Sequence, residues 1–151
     1  MAFPVLHKRG DIVMMAAFQT PSTFVNFCGA TSISLNIENA VSETRVGDCD
    51  DWNLPTRTIA AYGAQTVNAT VNAQLARSNR DRLLRWAKDQ LIVPIRFHIV
   101  EAISGEVEYI DGMGMLPTLN LENIGSTDDG AVVTTTLTIR FEDGVEFTDA
   151  T

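Results

Sequence analysis

Residues Gln65 to Leu75 have the sequence QTVNATVNAQL, in which apolar and polar side chains alternate without a break from Thr66 onward. Because successive side chains of a β-strand point to opposite faces of a sheet, this period of two predicts a half-buried strand. The polar positions hold only Thr, Asn and Gln. An uncharged polar face differs from an ordinary charged exterior, and we expect it to lie against a partner or to line an aqueous passage.

The same period of two recurs along the chain and predicts about eight strands. Thr31–Glu38, Leu91–Val100 and Ala131–Glu142 alternate most clearly. The remaining predicted strands are 11–18 (closed by a turn at Thr20-Pro21-Ser22), 56–62, 106–110, 113–122 and a short one at 145–147. Strands at this spacing, with turn residues between them, favour a mainly β fold, an antiparallel β-sandwich or open barrel in a single domain spanning 1–151.

Glycine and proline divide this pattern. Gly63-Ala64, Asp111-Gly112 and Asp143-Gly144 each lie between strand-like segments and are predicted to form hairpin turns. Pro94 lacks a backbone donor, so it predicts an edge position or a bulge for its strand. Residues 39–54 have neither period and are predicted to form a long irregular loop, a type of segment that is often functional.

One segment has helical periodicity instead. Residues 78–90 are predicted to form an α-helix that covers an open end or one face of the sheet. Ser78 is the predicted N-cap, and Asp81 completes a motif that resembles a capping box. The predicted apolar face of the helix consists of Leu83, Leu84, Ala87 and Leu91.

The charge is distributed unevenly. The formal net charge is −8, yet residues 77–89 hold five basic and two acidic side chains, which leaves −11 for the remainder. Such an acidic protein should repel nucleic acid rather than grip it. The predicted basic face of the helix (Arg77, Arg82, Arg85 and Lys88) suits the acidic surface of a neighbouring copy. The simpler alternative is that the acidity only maintains solubility.

We predict no catalytic residue, no cofactor and no metal site, and hence no enzyme. His98 shares a polar strand face with Arg96, and no nucleophile is marked as its partner. Asp48, Asp50 and Asp51 form the densest acidic cluster, but an EF-hand loop starting at Asp48 would need Gly and Glu where Asn53 and Ile59 stand.

Compartment signals are few. No apolar stretch approaches the ~20 residues of a membrane span, and residues 1–9 do not have the pattern of a signal peptide, so we expect synthesis in a cytosol. In that compartment Cys28 and Cys49 are expected to be free thiols, although a pairing between them stays open.

The order of these parts resembles that of the tail tube (major tail) proteins of long-tailed bacteriophages and gene transfer agents. The resemblance extends from about Thr31 to Phe147 and lies in the sequence of elements, not in one motif. The parts in chain order are a strand, the acidic segment Glu43–Pro55, the strand pair Arg57–Leu75 around Ala61-Tyr-Gly-Ala64, the helix Ser78–Lys88 and final strands ending in Val132–Phe141.

This resemblance implies a structural virion protein. Six copies would form a ring whose inner sheets join into one barrel, and rings would stack into a tube around the tape measure protein. DNA would later pass through this tube without specific binding. The implied partners are further copies of the chain, a tail terminator and distal tail or baseplate proteins, with no membrane contact. The tube would be assembled in the host cytoplasm and end in the virion tail.

The resemblance also assigns roles to segments. The N-terminal arm 1–10, the loop 39–54 and the C-terminal arm 148–151 would bridge neighbouring subunits and rings. In the loop, the residues that stand out are Asp48, Asp50, Asp51 and Trp52. The candidate bore lining is either Thr66, Asn68, Thr70 and Asn72 or Thr134, Thr136 and Thr138. The sequence leaves open which of the two faces inward.

Two alternatives remain at this point. One is a related ring-forming injection component, such as a tail terminator, a baseplate tube protein or a type VI secretion tube subunit. The other is a β-sandwich ligand-binding module, which would favour an exposed aromatic platform.

Overall fold

The computed structural model describes residues 2–18 and 23–151, and the predicted turn at Thr20-Pro21-Ser22 lies outside them. This part of the chain contains one helix and seven strands: β1 (Ile12–Ala16), β2 (Val25–Asn26), β3 (Ala30–Val46), β4 (Arg57–Gln74), α1 (Arg77–Lys88), β5 (Val93–Ile99), β6 (Val107–Glu122) and β7 (Thr134–Asp149). All seven strands belong to one sheet of order β2-β1-β5-β6-β7-β4-β3, and every neighbouring pair is antiparallel. The predicted mainly β class with one flanking helix is confirmed.

The sheet curls strongly. β1 and β3 are five places apart in strand order, which in a flat sheet would separate them by roughly 24 Å. Met14 of β1 and Leu35 of β3 nevertheless line the same cavity, so the two ends of the sheet face each other across an open gap. The concave side holds the core, to which β4, β5 and β7 contribute alternate residues such as Val71, Ile95 and Leu137.

The helix begins at Arg77 and ends at Lys88, within two residues of the prediction. Its cap is different. Ala76 is the N-cap residue and no side chain caps the helix, so the predicted capping role of Ser78 is wrong. The buried stripe is Asn79, Leu83 and Trp86, because Trp86 packs edge-on against Phe18 with ring centroids 5.9 Å apart.

The predicted apolar helix face is therefore corrected. Leu84 is 41% exposed and Leu91, beyond the helix, is 47% exposed, whereas Trp86, which is not part of the predicted face, is 1% exposed. The buried face of the helix is rotated by about one residue from the predicted apolar face, so both leucines lie on the solvent side.

Residues 39–46 are the main correction to the fold. They were predicted to belong to an irregular loop, but they continue β3 and pair with β4 from Val41↔Tyr62 to Val46↔Arg57. Only 47–56 connect the two strands. The segment lacks an apolar alternation because both of its faces are exposed, so backbone pairing rather than burial makes it a strand.

The three predicted hairpin turns are also wrong, because each lies inside a continuous strand. Gly63 and Ala64 together oppose Ala40 at a β-bulge of the β3–β4 pair. A register shift between Gly112 and Gly114 marks a second irregularity, where β7 carries extra residues including Gly144. Gly144 has a φ of +76°, which the absence of a Cβ permits.

Two smaller predictions at strand ends also fail. β5 is an interior strand between β1 and β6, so the predicted edge position is wrong. Pro94 is tolerated because it lies just beyond the residues that pair with β1, and its carbonyl still accepts from Ala17 N at 3.0 Å.

The predicted C-terminal arm is tied to the body. Residues 148–149 belong to β7, and the Ala150 backbone N–H donates to Glu106 O at 2.7 Å.

Candidate functional site

A continuous polar face covers the convex side of four adjacent strands. We define the polar face by the side chains that alternate with the core residues on β3, β4, β7 and β6. Its members are Ser32, Ser34, Asn36, Glu38, Thr66, Asn68, Thr70, Asn72, Gln74, Thr134, Thr136, Thr138, Arg140, Thr118, Asn120 and Glu122. The charged members are Glu38, Glu122 and Arg140; all others carry hydroxyl or amide groups.

The register aligns these residues in rows across the strands. Thr70 pairs with Ser34 on one side and with Thr138 on the other. Asn72 links three strands, because its Nδ2 donates to Ser32 Oγ at 3.0 Å and its Oδ1 accepts from Thr136 Oγ1 at 3.3 Å. The two sets of candidate lining residues, on β4 and on β7, therefore lie on one surface, and the choice between them does not arise.

Both borders of this face lack a neighbouring strand within the described residues. β3 pairs only with β4. On the other side, β6 is paired with β5 only up to Gly114, so residues 115–122 have β7 on one edge and no strand on the opposite edge. Unpaired edges are templates for association with another chain.

The β3–β4 pair extends well beyond the body. β4 pairs with β7 only from Asn68 onward, so residues 39–46 and 57–65 form a two-stranded ribbon. At about 3.3 Å per residue the ribbon projects roughly 26 Å. Every residue from 36 to 65 is exposed, and the apolar side chains among them include Val41, Ile59 and Tyr62.

The ribbon loop, residues 47–56, holds the acidic cluster. Asp48 Oδ1 accepts from the backbone N–H groups of Asp50 (2.8 Å) and Asp51 (2.9 Å), and these bonds, chiefly that from Asp51, hold the pKa of the Asp48 carboxyl below its usual value. Asp51 Oδ1 accepts in turn from Asn53 N at 3.0 Å. The carboxylates thus shape the turn, and Trp52 is left 90% exposed at the tip.

The predicted basic helix face is solvent-exposed at three of its four positions. Arg77, Arg85 and Lys88 are exposed, while Arg82 is half-buried with its guanidinium 5.7 Å from the ring centroid of Phe18. Arg85 and Lys88 lie in the last turn, where cations complement the helix dipole. The face is available for contact, and its role in assembly stays a prediction.

One cluster was missed by the sequence analysis. Arg96 makes a bidentate pair with Asp111 (2.7 and 3.2 Å), which raises its pKa above the usual value. Its guanidinium lies 4.2 Å from the ring centroid of Phe24 and 4.3 Å from that of Tyr109. His98 stacks on Tyr109 and lies 3.3 Å from Glu108. These residues are far apart in sequence and are brought together by the pairing of strands, so no local sequence pattern predicts the cluster.

Other chemistry is sparse. In residues 2–18 and 23–151, no group of three or more His, Cys, Asp or Glu side chains is placed to hold a metal ion. Cys28 and Cys49 are both exposed free thiols. Among the helices that the structure describes, none is both long and apolar enough to cross a membrane.

Two of the solved structures that are similar to this chain come from tails. A chain from the tail of an empty gene transfer agent particle, refined with helical and C6 symmetry, superposes with a TM-score of 0.69 at 10% identity, covering 95% of this chain and 99% of that one. The SPP1 tail tube gives a TM-score of 0.64 at 10% identity, covering 97% and 80%. This chain shares the fold of a tail tube protein.

A third similar chain comes from a different kind of assembly. A chain of the sheath/tube terminator of an extracellular contractile injection system (PVC) gives a TM-score of 0.64 at 11% identity and covers 97% of this chain and 99% of that one. No family model matches the sequence, and no curated protein does. The likeness is therefore one of fold, at 10–11% sequence identity.

Proposed function

We propose that this chain is a structural tube protein, whose copies join side by side into rings that stack into a hollow tail tube. The observation that carries the proposal is the four-stranded polar face with an open edge on each border. The similarity of the fold of this chain to chains of tail and tail tube structures supports the same function.

The strand order makes such a ring geometrically simple. The strands β3, β4, β7 and β6 alternate in direction, so the two border strands run antiparallel. When the β6 edge of one copy meets the β3 edge of the next, the new pair is antiparallel as well. Every added copy preserves the alternation, and a closed ring abolishes the exposed edges. We propose six copies, the symmetry used for the gene transfer agent tail.

The polar face would then line the bore. Its apolar reverse side is already packed in the core of each copy, as at Val71 and Leu137, so the face free for a wet channel is the hydroxyl and amide side. Two acidic and one basic side chain among these residues give DNA no basic groove to bind. A polyanion can therefore move along this wall without being held, with the tape measure protein occupying the bore beforehand.

The remaining exposed segments would make contacts between copies. Residues 2–7 lie outside the sheet, and Phe3, Val5 and Leu6 are strongly exposed there. The ribbon carries further exposed apolar groups. In the proposed particle these segments bridge subunits and rings, while the ends of the tube meet a terminator and the distal tail or baseplate proteins.

Purified protein tests the assembly directly. Mass photometry and negative-stain electron microscopy over a range of concentration and salt should reveal rings and tubes with a central hole. The tape measure protein would be added in a parallel series to promote closure. Monomers under every condition, with and without that partner, would refute the proposal.

A charge placed in the bore tests the lining. Thr70→Lys with Thr138→Lys would put two cations per copy on the polar face, and tubes of this variant should retain DNA in a filter-binding assay that weakens steeply with salt. Ser126→Lys with Thr127→Lys in the exposed connection after β6 is the matched control, with the same two added cations, and should leave retention at the wild-type level. Equal retention by the two variants would contradict the assignment of this face to the bore.

A terminator or other ring component of the same machinery is the second candidate, favoured by the match to a terminator-complex chain. Copy number separates the two. A tube protein should be among the most abundant proteins of the purified particle, whereas a terminator should be present as one ring. Quantitative mass spectrometry of the particle decides between them.

A further inference from the structure

Arg140 of β7 is the one cation of the polar face, as defined above. The other members of that face are neutral except for Glu38 and Glu122. The Arg140 side chain is exposed, and its guanidinium takes part in none of the ion pairs among the described residues. Its charge is therefore not neutralised within the protomer.

The strand register surrounds Arg140 with neutral side chains. Arg140 pairs with Asn68 of β4 on one side and with Met115 of β6 on the other. Asn68 pairs in turn with Asn36 of β3. The whole row across the four strands thus contains a single charge, and that charge is a guanidinium.

The nearest carboxylates of the face are not its partners. Glu38 lies two strands away and one row further along, which places the two backbones roughly 12 Å apart. Exposed charges at that separation are largely screened, because the Debye length is about 8 Å at physiological ionic strength. Glu142, two residues further along β7, is exposed and forms no ion pair among the described residues either.

The core holds Arg140 in place from behind. Its neighbours in sequence, Ile139 and Phe141, are 0% and 3% exposed and belong to the hydrophobic core. The guanidinium is therefore carried by a rigid wall and not by a loop. Arginine is also the longest side chain of the polar face, so a molecule that moves past this wall meets the guanidinium before it meets the hydroxyl and amide groups.

Closure of a ring would turn this single residue into a composite site. Each copy contributes four strands to the wall, so equivalent arginines would follow one another roughly every 19 Å around it, at about 4.8 Å per strand. Symmetry places them all at one height. One ring would thus carry a circle of guanidinium groups that no single copy can form, and the stack would repeat this circle once per ring.

The ligand that suits such a circle is a phosphodiester. A guanidinium presents a planar fork of donors that matches the oxygens of phosphate or carboxylate. Duplex DNA carries one negative charge per about 1.7 Å of its axis, so phosphates would be near the circle at every stage of passage. Carboxylates of a protein in the bore would have to recur at the spacing of the rings to do the same.

We propose that Arg140 is the phosphate contact of the bore, at which each ring touches the DNA that passes through it. This inference rests on the proposed tube. The contacts are isolated points separated by neutral wall, and solvent-exposed ion pairs are individually weak. DNA therefore exchanges rapidly between them and still moves along the tube.

Filter binding of a short DNA duplex to open-ended tubes tests the contact. Wild-type tubes should retain the duplex weakly at low salt, and Arg140→Gln should lower this retention by at least about tenfold and flatten its dependence on salt. Arg140→Lys keeps the charge without the fork, so it should keep the salt dependence and lose part of the retention. Arg80→Gln removes the same charge from the exposed surface of α1 and should match the wild type.

Chemical protection tests the same contact without a substitution. In wild-type tubes the duplex should slow the modification of Arg140 by phenylglyoxal several-fold, as read by mass spectrometry, and leave that of Arg80 unchanged. Polyglutamate at the same concentration of charge should protect Arg140 less.

Three results would overturn the role of Arg140 while leaving the tube intact. They are wild-type tubes that retain no duplex at low salt, equal retention by Arg140→Gln and wild-type tubes, and equal protection by polyglutamate and DNA. A wild-type protein that forms no tubes would instead overturn the proposed function.

Discussion

Replacing Gly112 with alanine tests why this glycine is inside a strand. A Cβ at this position would fall onto Cδ1 of Phe141 and lie 2.9 Å from its Cε1, with Gly144 O at 3.1 Å. Phe141 is 3% exposed, so its ring cannot swing into solvent to make room. The glycine is needed because the ring lies directly against the backbone, rather than because the chain turns there.

The magnitude follows from two opposing effects. Forcing an extra methyl group into a packed core costs about 1–3 kcal/mol. Alanine also restricts the unfolded chain, which stabilises the fold by about 0.4–1 kcal/mol where the backbone tolerates a side chain. We expect a net loss of about 1–2 kcal/mol in the free energy of unfolding, and for a chain of this size a fall in Tm of roughly 2–8 °C.

Urea unfolding followed by tryptophan fluorescence measures this loss, since Trp86 is buried in the fold while Trp52 is exposed before and after unfolding. Gly47→Ala is the control, because nothing lies within 4 Å of its added Cβ, and it should be neutral or slightly stabilising. In a Phe141→Leu background the cost of Gly112→Ala should shrink. A Gly112→Ala protein as stable as the Gly47→Ala control would refute the packing argument.

Three further perturbations probe the core, the missed cluster and the ribbon loop. Leu137→Ala should cost about 2–5 kcal/mol in urea unfolding because Leu137 is fully buried, against at most about 0.5 kcal/mol for the exposed Leu84→Ala; equal costs would contradict the assigned core. Arg96→Lys should lower stability by about 1 kcal/mol, since lysine cannot reproduce the bidentate pair with Asp111 or the aromatic stacking, and a neutral result would make the cluster energetically irrelevant. The lowered pKa of Asp48 implies that its turn is fully stabilised above about pH 4 and loses this support as pH falls through the pKa of the folded state; NMR amide exchange in the ribbon loop should show the loss, and Asp48→Asn should remove the pH dependence.

The elements with a buried face were predictable. Burial imposes a period, so β4 around Val71, β5 and β7 were located from apolar alternation, and the helix was found from its 3.6-residue period. The polar face was visible in the same alternation, because the residues that avoid the core must fill the other side of the strand. The sequence also placed the acidic cluster of the ribbon loop correctly between two strands.

The failures in the sheet share one physical cause: they concern residues whose conformation is set by partners rather than by their own burial. The ribbon strand 39–46 has no buried face and is held by the ladder to β4. Gly63 and Gly112 were interpreted as turns, yet one lies at a bulge opposite Ala40 and the other makes room for an aromatic ring. The pair of Arg96 with Asp111 required the register of β5 on β6, which no local pattern encodes.

By itself, the order of residues determined the mainly β class, the single helix and the existence of a polar surface rich in hydroxyl and amide groups, because hydrophobic periodicity follows from burial along one element at a time. Only the tertiary structure decided that the threonine and asparagine rows of β4 and β7 form one surface, that its two borders are open, and that residues 39–46 and 57–65 form a ribbon beyond the body. These are relations between elements distant along the chain, and they arise from strand register and sheet curvature, which no single segment carries.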